Sequence, residues 1–511
     1  MWLPQIIYLG AGINLTFGNP RLPPGAMISL RSERSFTFNP FRVVRFKIFM
    51  IDFAHNACGK LKVKIVPACS ITNYIIPNTF KLFTPIMLLE FSVKNFLSIK
   101  DEVIFSLYAS NEVKGHEKHT IPLVGQAILK TAVIYGANAS GKSNLIKAMA
   151  FMRAVIENSL KLNPEEPIVS THHYPSFQLH SKTAKAPLEM EISFLYQDIY
   201  YRYGFALDAD RIHRECLYFA PQENESLLYQ RRFEAGSYVY DIPKHFLIAQ
   251  DFIQDNTLPA NTLLLAVLAK FTDSAARRVM EWISHTFNVL SNPDEEAYEG
   301  LTYSKLDEEA YRTDILNFLK VADVGIEDVF LKSVSATDWP DEYQKRPQKL
   351  NALIASETKQ VVFQHSIFDD QGCVTDRKHW GQNHESAGTQ KLFALSGPLI
   401  ETLHKGEILV IDELDAKLHP MMIRFILGLF HSQAHNPHNA QLIFATHDTQ
   451  LLSPRFFRRD QIWFTEKNPY GATELYSLAD FDLNDQADFS RDYFQGRYNA
   501  VPFIGDLRLF S

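Results

Sequence analysis

The chain has 511 residues, of which 46% are hydrophobic and 21% charged. This composition is typical of a folded globular protein and excludes collagen-like, coiled-coil and wholly disordered chains. At about 150 residues per domain, the length predicts several domains or one heavily inserted domain. No run of about 18 apolar residues indicates a membrane span, and the four cysteines lack the CxxC spacing of a thiolate zinc site. Because the N-terminus also lacks a basic segment before its apolar stretch, we expect a cytoplasmic protein without membrane contact.

Charge divides the chain unevenly. Residues 1–86 contain 10 Lys and Arg against 2 Asp and Glu, and they hold 8 of the 25 prolines, whereas residues 87–511 contain 41 basic against 56 acidic residues. No sustained period of 3.6 or 2 runs through the first segment, so we interpret residues 1–86 as a basic, proline-rich leader that is poorly ordered or precedes the true start. A basic arm that touches nucleic acid is the alternative.

The first folded segment is expected over residues 87–244. Two strands with apolar positions around a polar turn begin at Met87, and the apolar run 128–135 predicts a buried strand that ends at Gly136. A helix follows, because apolar residues then recur on one helical face. Residues 187–240 alternate apolar and polar side chains, which predicts half-buried antiparallel strands.

Two further segments complete the organisation. Residues 245–345 have a helical pattern that includes SAARRVMEWISHTFNVL, and we interpret them as an inserted helical subdomain. Residues 346–511 begin with short strands such as QVVFQHSIF and continue with a second block of α/β signals. The predicted fold class is therefore α/β.

The strongest motif is GANASGKS at residues 136–143, which matches G-x-x-x-x-G-K-[ST] between a predicted strand and a predicted helix. Its glycines let the backbone fold around phosphate oxygens, its lysine neutralises the β- and γ-phosphates, and the Ser143 hydroxyl can bind Mg²⁺. An ordinary glycine turn is the alternative. The residues expected to bind nucleotide here are Gly136, Asn138, Gly141, Lys142, Ser143 and Asn144.

A second motif is the apolar strand 408–411, which ends in Asp412 and Glu413. Ligands bind at the carboxyl ends of such buried parallel strands. We expect Asp412 to hold Mg²⁺ and Glu413 to take the proton from the water that attacks the γ-phosphate. The alternative is that both carboxylates only cap the next helix.

Two weaker signals accompany these motifs. The apolar strand 441–446 delivers His447 to its carboxyl end, where it could contact the γ-phosphate. The loop ESAGTQ at residues 385–390 opens an apolar-periodic helix, and there the Ser386 hydroxyl and the Gly388 N–H could face an anion. In isolation, a structural histidine and a plain helix cap would account for them.

Together these motifs resemble the ABC-type ATPases of the SMC, Rad50 and RecF kind, and more closely the prokaryotic AAA15 or AAA_21 (OLD-related) ATP-binding proteins. The resemblance covers residues 87–511. The matching segments are Walker A (136–143), the signature loop (386–390), Walker B (408–413), the D-loop with Asp415, the switch residue His447, and the segments 93–103 and 496–507. The signature reads SAGTQ instead of LSGGQ, Asn499 stands where glycine is common, and Gln178 is the best Q-loop candidate.

This resemblance implies an ABC-type ATPase head split by antiparallel strands and an inserted helical subdomain, with ATP and Mg²⁺ as its cofactors. It also implies that the Walker A loop of one subunit and the signature loop of another enclose ATP, so a homodimer or a higher homo-oligomer is expected. Glu413 and His447 would be the catalytic residues, and Ser143 and Asp412 the metal ligands.

Relatives of this kind often act beside a separately encoded RloB-like or TOPRIM nuclease in defence against phage, which is the function we expect. A self-contained OLD-type nuclease is disfavoured, because only 64 residues follow His447. The remaining alternative is a RecF- or SMC-like DNA-repair ATPase. The acidic balance of residues 87–511 disfavours broad binding to nucleic acid but leaves a local contact open.

Two clusters of basic side chains could have other roles. His431, His435 and His438 could bind a metal but are expected in a solvated turn. Arg455, Arg458 and Arg459 could touch DNA or a partner but are expected on an ordinary charged surface.

Overall fold

The computed structural model describes residues 49–55, 61–67, 86–123, 125–169, 174–221, 224–243, 258–271, 275–291, 295–322, 325–333, 359–483 and 487–501. The chain divides into two compact units, Met1–Phe83 and Thr84–Ser511. In the first unit, strand β1 (Phe49–His55) pairs antiparallel with strand β2 (Leu61–Pro67). The other residues before position 86 lie outside the described part, so the interpretation of the leader stays a prediction.

The second unit contains the remaining elements. Its described strands are β3 (Met87–Lys94), β4 (Val103–Ser106), β5 (Thr120–Leu123), β6 (Gln126–Leu129), β7 (Thr131–Gly136), β8 (Leu188–Tyr196), β9 (Ile199–Leu207), β10 (Ile212–Ala220), β11 (Ser226–Glu234), β12 (Ser237–Asp241), β13 (Phe287–Leu290), β14 (Asp328–Ser333), β15 (Lys359–Phe368), β16 (Val374–Gly381), β17 (Ile408–Ile411), β18 (Gln441–Ala445), β19 (Ile462–Lys467) and β20 (Thr473–Ser477). Its described α-helices are α1 (Lys142–Asn158), α2 (Leu264–Phe271), α3 (Ala275–His285), α4 (Glu295–Lys305), α5 (Glu309–Val321), α6 (Ala387–Lys405), α7 (Pro420–His431) and α8 (Phe489–Phe494).

A six-stranded sheet has the order β13-β17-β18-β7-β19-β20, in which every neighbouring pair is parallel except β19 and β20. Strands β7, β17 and β18 are buried at every residue, as their continuous apolar runs predict. They are neighbours, so the three motifs that follow them emerge at the same edge of the sheet. The predicted α/β class is confirmed.

The predicted antiparallel strands form a seven-stranded sheet with the order β12-β11-β10-β9-β8-β3-β4. The alternation seen in the sequence matches burial in β8, where Met190, Ile192 and Phe194 are buried. Strand β3 pairs with both β4 and β8, so the two strands that begin at Met87 belong to this sheet.

The predicted helical segment, residues 245–345, contains two described strands that the sequence did not predict, β13 and β14. The residues HTFNVL were expected to continue a helix, but α3 ends at His285 and Phe287–Leu290 forms β13, at the edge of the parallel sheet. Register pairs Phe287 with Ile408 and Leu290 with Ile411. A strand partner distant in sequence thus overrides the local helical pattern, because β propensity depends on such pairing.

A buried carboxylate joins this segment to the antiparallel sheet. Glu215 on β10 accepts hydrogen bonds from the backbone N–H groups of Leu264 and Leu265 at the start of α2, at 2.8 and 2.9 Å. Its Oε2 lies 3.0 Å from Nε of Arg231, and both side chains are fully buried. Because a buried charge is costly unless it is paired and hydrogen-bonded, this contact fixes where α2 begins.

The parallel sheet separates two hydrophobic cores. Ala132 and Ile134 of β7 belong to the core that also contains α1, α2 and the antiparallel sheet, whereas Val133 and Tyr135 face the core that contains α6 and α7. This alternation is the period-two geometry of a strand covered on both faces. In the part of the chain that the structure describes, none of the helices combines the length and hydropathy of a membrane span.

Candidate active site

The loop between β7 and α1 requires glycine at two positions. A Cβ atom on Gly136 would lie 2.4 Å from the backbone oxygen of Thr465, and one on Gly141 would lie 2.2 Å from Oγ1 of Thr473. Gly141 also has φ +116°, a value that L residues rarely adopt. The loop is therefore packed closely against β19 and β20.

Two sets of side-chain hydrogen bonds hold this loop against β19 and β20. In the first, Asn144 donates to Ser98 Oγ at 2.6 Å, Ser98 pairs with Thr473 Oγ1 at 2.7 Å, and Thr473 donates to the Ser140 carbonyl at 2.8 Å. In the second, Ser140 Oγ lies 2.6 Å from Thr465 Oγ1. Sequence reasoning did not identify Ser98, Thr465 or Thr473. Ser98 lies in the family-like segment 93–103, but the two threonines carry no local signal.

Lys142 lies at the first position of α1 and points back over the loop. Its Nζ donates to the carbonyls of Gly136 and Ala137 at 2.8 and 3.0 Å, and the side chain is buried. Burial lowers the pKa of the ammonium, and the carboxylates of Asp412, Glu413 and Asp415 oppose that shift. The nitrogen thus lies where phosphate oxygens can replace the two carbonyls. Asn138 is exposed in the same loop.

Asp412 follows β17 directly and is buried, with its backbone N–H bound to the Leu290 carbonyl at 3.0 Å. Burial raises the pKa of its carboxyl, and a hydrogen bond from the Ser143 side chain opposes that shift. Its buried Oδ1 has no hydrogen-bond partner among the described residues. An unpaired carboxylate oxygen beside a hydroxyl is a suitable donor set for Mg²⁺.

The same donor set suits a metal that is shared with phosphate. Within the described ranges, no group of three His, Cys, Asp or Glu side chains could hold a metal ion. Mg²⁺ usually binds proteins through one or two carboxylates together with substrate phosphates. Ser143 and Asp412 therefore fit the ion, provided that a nucleotide supplies further oxygens.

Glu413 has φ +51°, which is uncommon for a residue with a side chain, and it is half-buried. Such strain at an active site is consistent with a positioned functional group. Two residues later, Asp415 Oδ2 accepts a hydrogen bond from the His447 backbone N–H at 3.0 Å. The predicted base, Asp415 and the predicted switch histidine thus lie close together, and the His447 side chain is exposed.

The signature-like loop forms the N-terminus of α6. Ser386 is the N-cap residue, and its Oγ accepts from the Thr389 backbone N–H at 3.2 Å. Gly388 packs against the segment after Walker B, since a Cβ there would lie 3.2 Å from the Lys417 carbonyl oxygen. Ser386 itself is exposed. Among the described residues, no hydrogen bond joins Ser386 or Gly388 to the loop 136–144; the hydrogen bonds of Ser386 are to Thr389.

Two weaker interpretations need correction. Arg458 is buried and forms an ion pair with Asp460 at 2.7 Å, so it is not part of an open charged surface. His431 is half-buried and does not lie free in a solvated turn: its ring stacks on that of His119 at 3.5 Å, and its Nε2 lies 2.9 Å from Thr131 Oγ1. Arg458 also donates to the carbonyls of Gly115 and Ser110, so both side chains have structural partners that are distant in sequence.

The chain is similar to one protein family and to several solved structures. Residues 132–453, more than half of the chain, match the family model described as "AAA domain, putative AbiEii toxin, Type IV TA system". Similar solved structures include the SMC head domain from Thermotoga maritima, with 11% identity, a TM-score of 0.34 and coverage of 78% of this chain and 99% of that chain. Another is the Smc head domain with an extended coiled coil bound to the C-terminal domain of ScpA derived from Pyrococcus furiosus, with 11% identity, a TM-score of 0.37 and coverage of 81% and 99%. No curated protein matches the chain. The range matched by the family model contains every predicted site residue.

Proposed function

Because the chain belongs to the AAA domain family whose model matches residues 132–453, we propose that it binds Mg·ATP at the loop 136–144 and hydrolyses it. The observation that carries this proposal is the convergence of Lys142, Asp412 and Glu413 at one edge of the parallel sheet, where strands β7 and β17 end. The N–H groups of the first turn of α1 add positive dipole for the phosphates.

Each residue has a separate role in this proposal. Lys142 exchanges its two loop carbonyls for β- and γ-phosphate oxygens, and the Ser143 hydroxyl and Asp412 hold Mg²⁺, which neutralises charge on the phosphates. Glu413 takes a proton from the attacking water, and its backbone has the uncommon φ of +51°. His447 contacts the γ-phosphate, held by the hydrogen bond from its backbone N–H to Asp415.

A complete site requires a second copy of the chain. Ser386 is exposed at the start of α6, and its loop is the predicted contact for the γ-phosphate bound by another subunit. Two copies related by two-fold symmetry would form two equivalent ATP sites. We therefore propose a homodimer, or a higher homo-oligomer built from dimers, that ATP closes.

In the cell, we propose that this ATPase switch acts in anti-phage defence with a separately encoded effector such as a nuclease. The family description names a toxin of a type IV TA system, which supports a role alongside a second protein.

Phosphate release by the purified chain with Mg·ATP tests the enzymatic proposal. Glu413→Gln keeps the shape of the side chain but cannot accept the proton, so turnover should fall about 10²–10⁴-fold while nucleotide still binds. Glu234→Gln, an exposed site on β11, is the matched control and should keep the wild-type rate. Wild-type turnover by Glu413→Gln would remove Glu413 from the catalytic role, and a wild-type chain without Mg²⁺-dependent turnover would refute hydrolysis.

A further inference from the structure

The hairpin of β15 and β16 ends in an exposed apolar tip, formed by Ile367, Phe368 and Val374. Their exposed fractions are 40%, 60% and 58%, and Phe368 and Val374 are direct partners across the hairpin. Residues 367–379 are exposed throughout. The turn is well defined, because Asp369 Oδ1 accepts from the backbone N–H of Cys373 at 2.8 Å. Grouped apolar side chains on a projecting ribbon of two strands indicate a contact surface.

The base of this hairpin is fixed to the signature-like loop. Glu385 Oε1 accepts hydrogen bonds from His365 Nε2 on β15 at 2.7 Å and from Trp380 Nε1 on β16 at 2.6 Å. Glu385 is nearly buried, and it directly precedes Ser386. A partner surface that contacts Ser386 would therefore also lie beside the hairpin.

A second exposed apolar patch, formed by Leu179 and Tyr470, lies beside the loop 136–144. The exposed fractions of these side chains are 69% and 81%. They belong to one surface, because a Cβ on Gly471 would lie 2.7 Å from Leu179 Cδ1. Two residues after Gly471, Thr473 donates to the Ser140 carbonyl. The Leu179–Tyr470 patch thus flanks the nucleotide loop, as the hairpin tip flanks the signature-like loop.

The charged residues beside these two apolar surfaces have opposite signs. Asp369 and Asp370 lie in the hairpin turn and are exposed, whereas Lys182 and Lys185 lie close in sequence to Leu179 and are also exposed. Arg377 and Lys378 are also exposed on β16, but the turn itself carries only the two aspartates, so an acidic turn can meet an apolar patch with basic residues, which favours association in one orientation.

We propose that the hairpin tip of one subunit docks on the Leu179–Tyr470 patch of a second copy of this chain. The inference rests on the proposed two-subunit ATP site, which places the signature-like loop of one copy over the nucleotide loop of the other. Since both surfaces occur in every chain, a two-fold pair makes this contact twice. The contact holds the two nucleotide sites closed at their outer edges.

Cross-linking tests this pairing, because Cys373 lies exposed in the hairpin turn. In a chain with Cys58→Ser and Cys69→Ser, Tyr470→Cys is introduced, and a short bismaleimide is added with Mg²⁺ and a non-hydrolysable ATP analogue. We expect a covalent dimer on a denaturing gel that requires both cysteines. The controls are the same chain with Cys373→Ser and the same chain with native Tyr470.

The outcomes separate this inference from the proposed function. A dimer seen by light scattering, with no cross-link between positions 373 and 470, would overturn the hairpin contact and leave the two-subunit ATP site standing. A chain that stays monomeric with nucleotide would overturn the two-subunit site, and the hairpin contact with it.

A substitution gives an independent measurement. Phe368→Asp places a charge in the apolar tip and should raise the dissociation constant of the nucleotide-bound dimer about tenfold or more, while nucleotide binding to each subunit stays at the wild-type value. Val239→Asp is the matched control, because Val239 is 41% exposed on β12, outside both surfaces. An unchanged dissociation constant for Phe368→Asp would overturn the proposal.

Discussion

Asp415 accepts a hydrogen bond from the backbone N–H of His447, with 3.0 Å between Asp415 Oδ2 and the nitrogen. This bond joins the turn after β17 to the end of the neighbouring strand β18. The other oxygen of Asp415 is buried and has no hydrogen-bond partner among the described residues. Asp415 therefore positions His447 and also leaves an acceptor available at the site.

Asp415→Ala should lower kcat by up to about 10²-fold, because His447 loses the contact that fixes its backbone and small displacements of positioned groups are costly to rate. Asp415→Asn retains an oxygen acceptor and should lose less. ATP affinity, measured by titration with a fluorescent analogue, should change little in either variant. A wild-type kcat for Asp415→Ala would show that the hydrogen bond does not position a catalytic group.

Lys142→Ala and Ser386→Arg should fail at different steps. The first removes the cation from the nucleotide loop and should weaken ATP binding about 10- to 100-fold. The second places a bulky charge at an exposed N-cap, so each subunit should still bind ATP while nucleotide-dependent dimerisation and turnover are lost. Ser304→Arg, an exposed serine on α4, is the matched control. Equal losses of ATP affinity in both variants would contradict a site shared between two subunits.

The parts of this molecule that sequence could predict are those with local signals. The strand, loop and helix around Lys142, and the buried strands before Asp412 and His447, follow from contiguous apolar runs and one specific motif. Thr473 could not be predicted, because it acts on Ser140, which lies 333 positions away. Strand β13 was missed for the same reason: its pairing with β17 outweighs the helical pattern that precedes it. The hairpin strand β15 was expected, but the bonds from His365 and Trp380 to Glu385 depend on tertiary structure.

Thr473→Val should loosen the nucleotide loop. Valine keeps the shape but removes the hydroxyl that donates to the Ser140 carbonyl and pairs with Ser98. A buried polar group left without a partner costs about 1–3 kcal/mol, and we expect a loss of this size in chemical denaturation together with weaker ATP binding. Thr313→Val, at an exposed position on α5, should stay within about 0.5 kcal/mol of wild type. Equal stability and ATP affinity for Thr473→Val and wild type would show that the loop does not depend on this hydroxyl.

Glu407 should make the stability of the fold depend on pH. Burial raises the pKa of its carboxyl from 4.5 to about 7, although Lys405 and the hydrogen bond from Asn288 oppose the shift. Because the folded pKa is raised, the folded chain binds more protons than the unfolded chain between about pH 4.5 and pH 7, and stability contributed by this group falls as pH rises through that window. Glu407→Gln cannot ionise, so relative to wild type it should gain stability with rising pH, by up to about 3 kcal/mol at pH 8. Denaturant unfolding of both proteins at pH 5 and pH 8 measures the difference between their free energies of unfolding. Contributions of other titrating groups, which are common to both proteins, cancel in this difference. A difference between the two proteins that stays constant across this range would show that Glu407 is already ionised in the folded chain at pH 5.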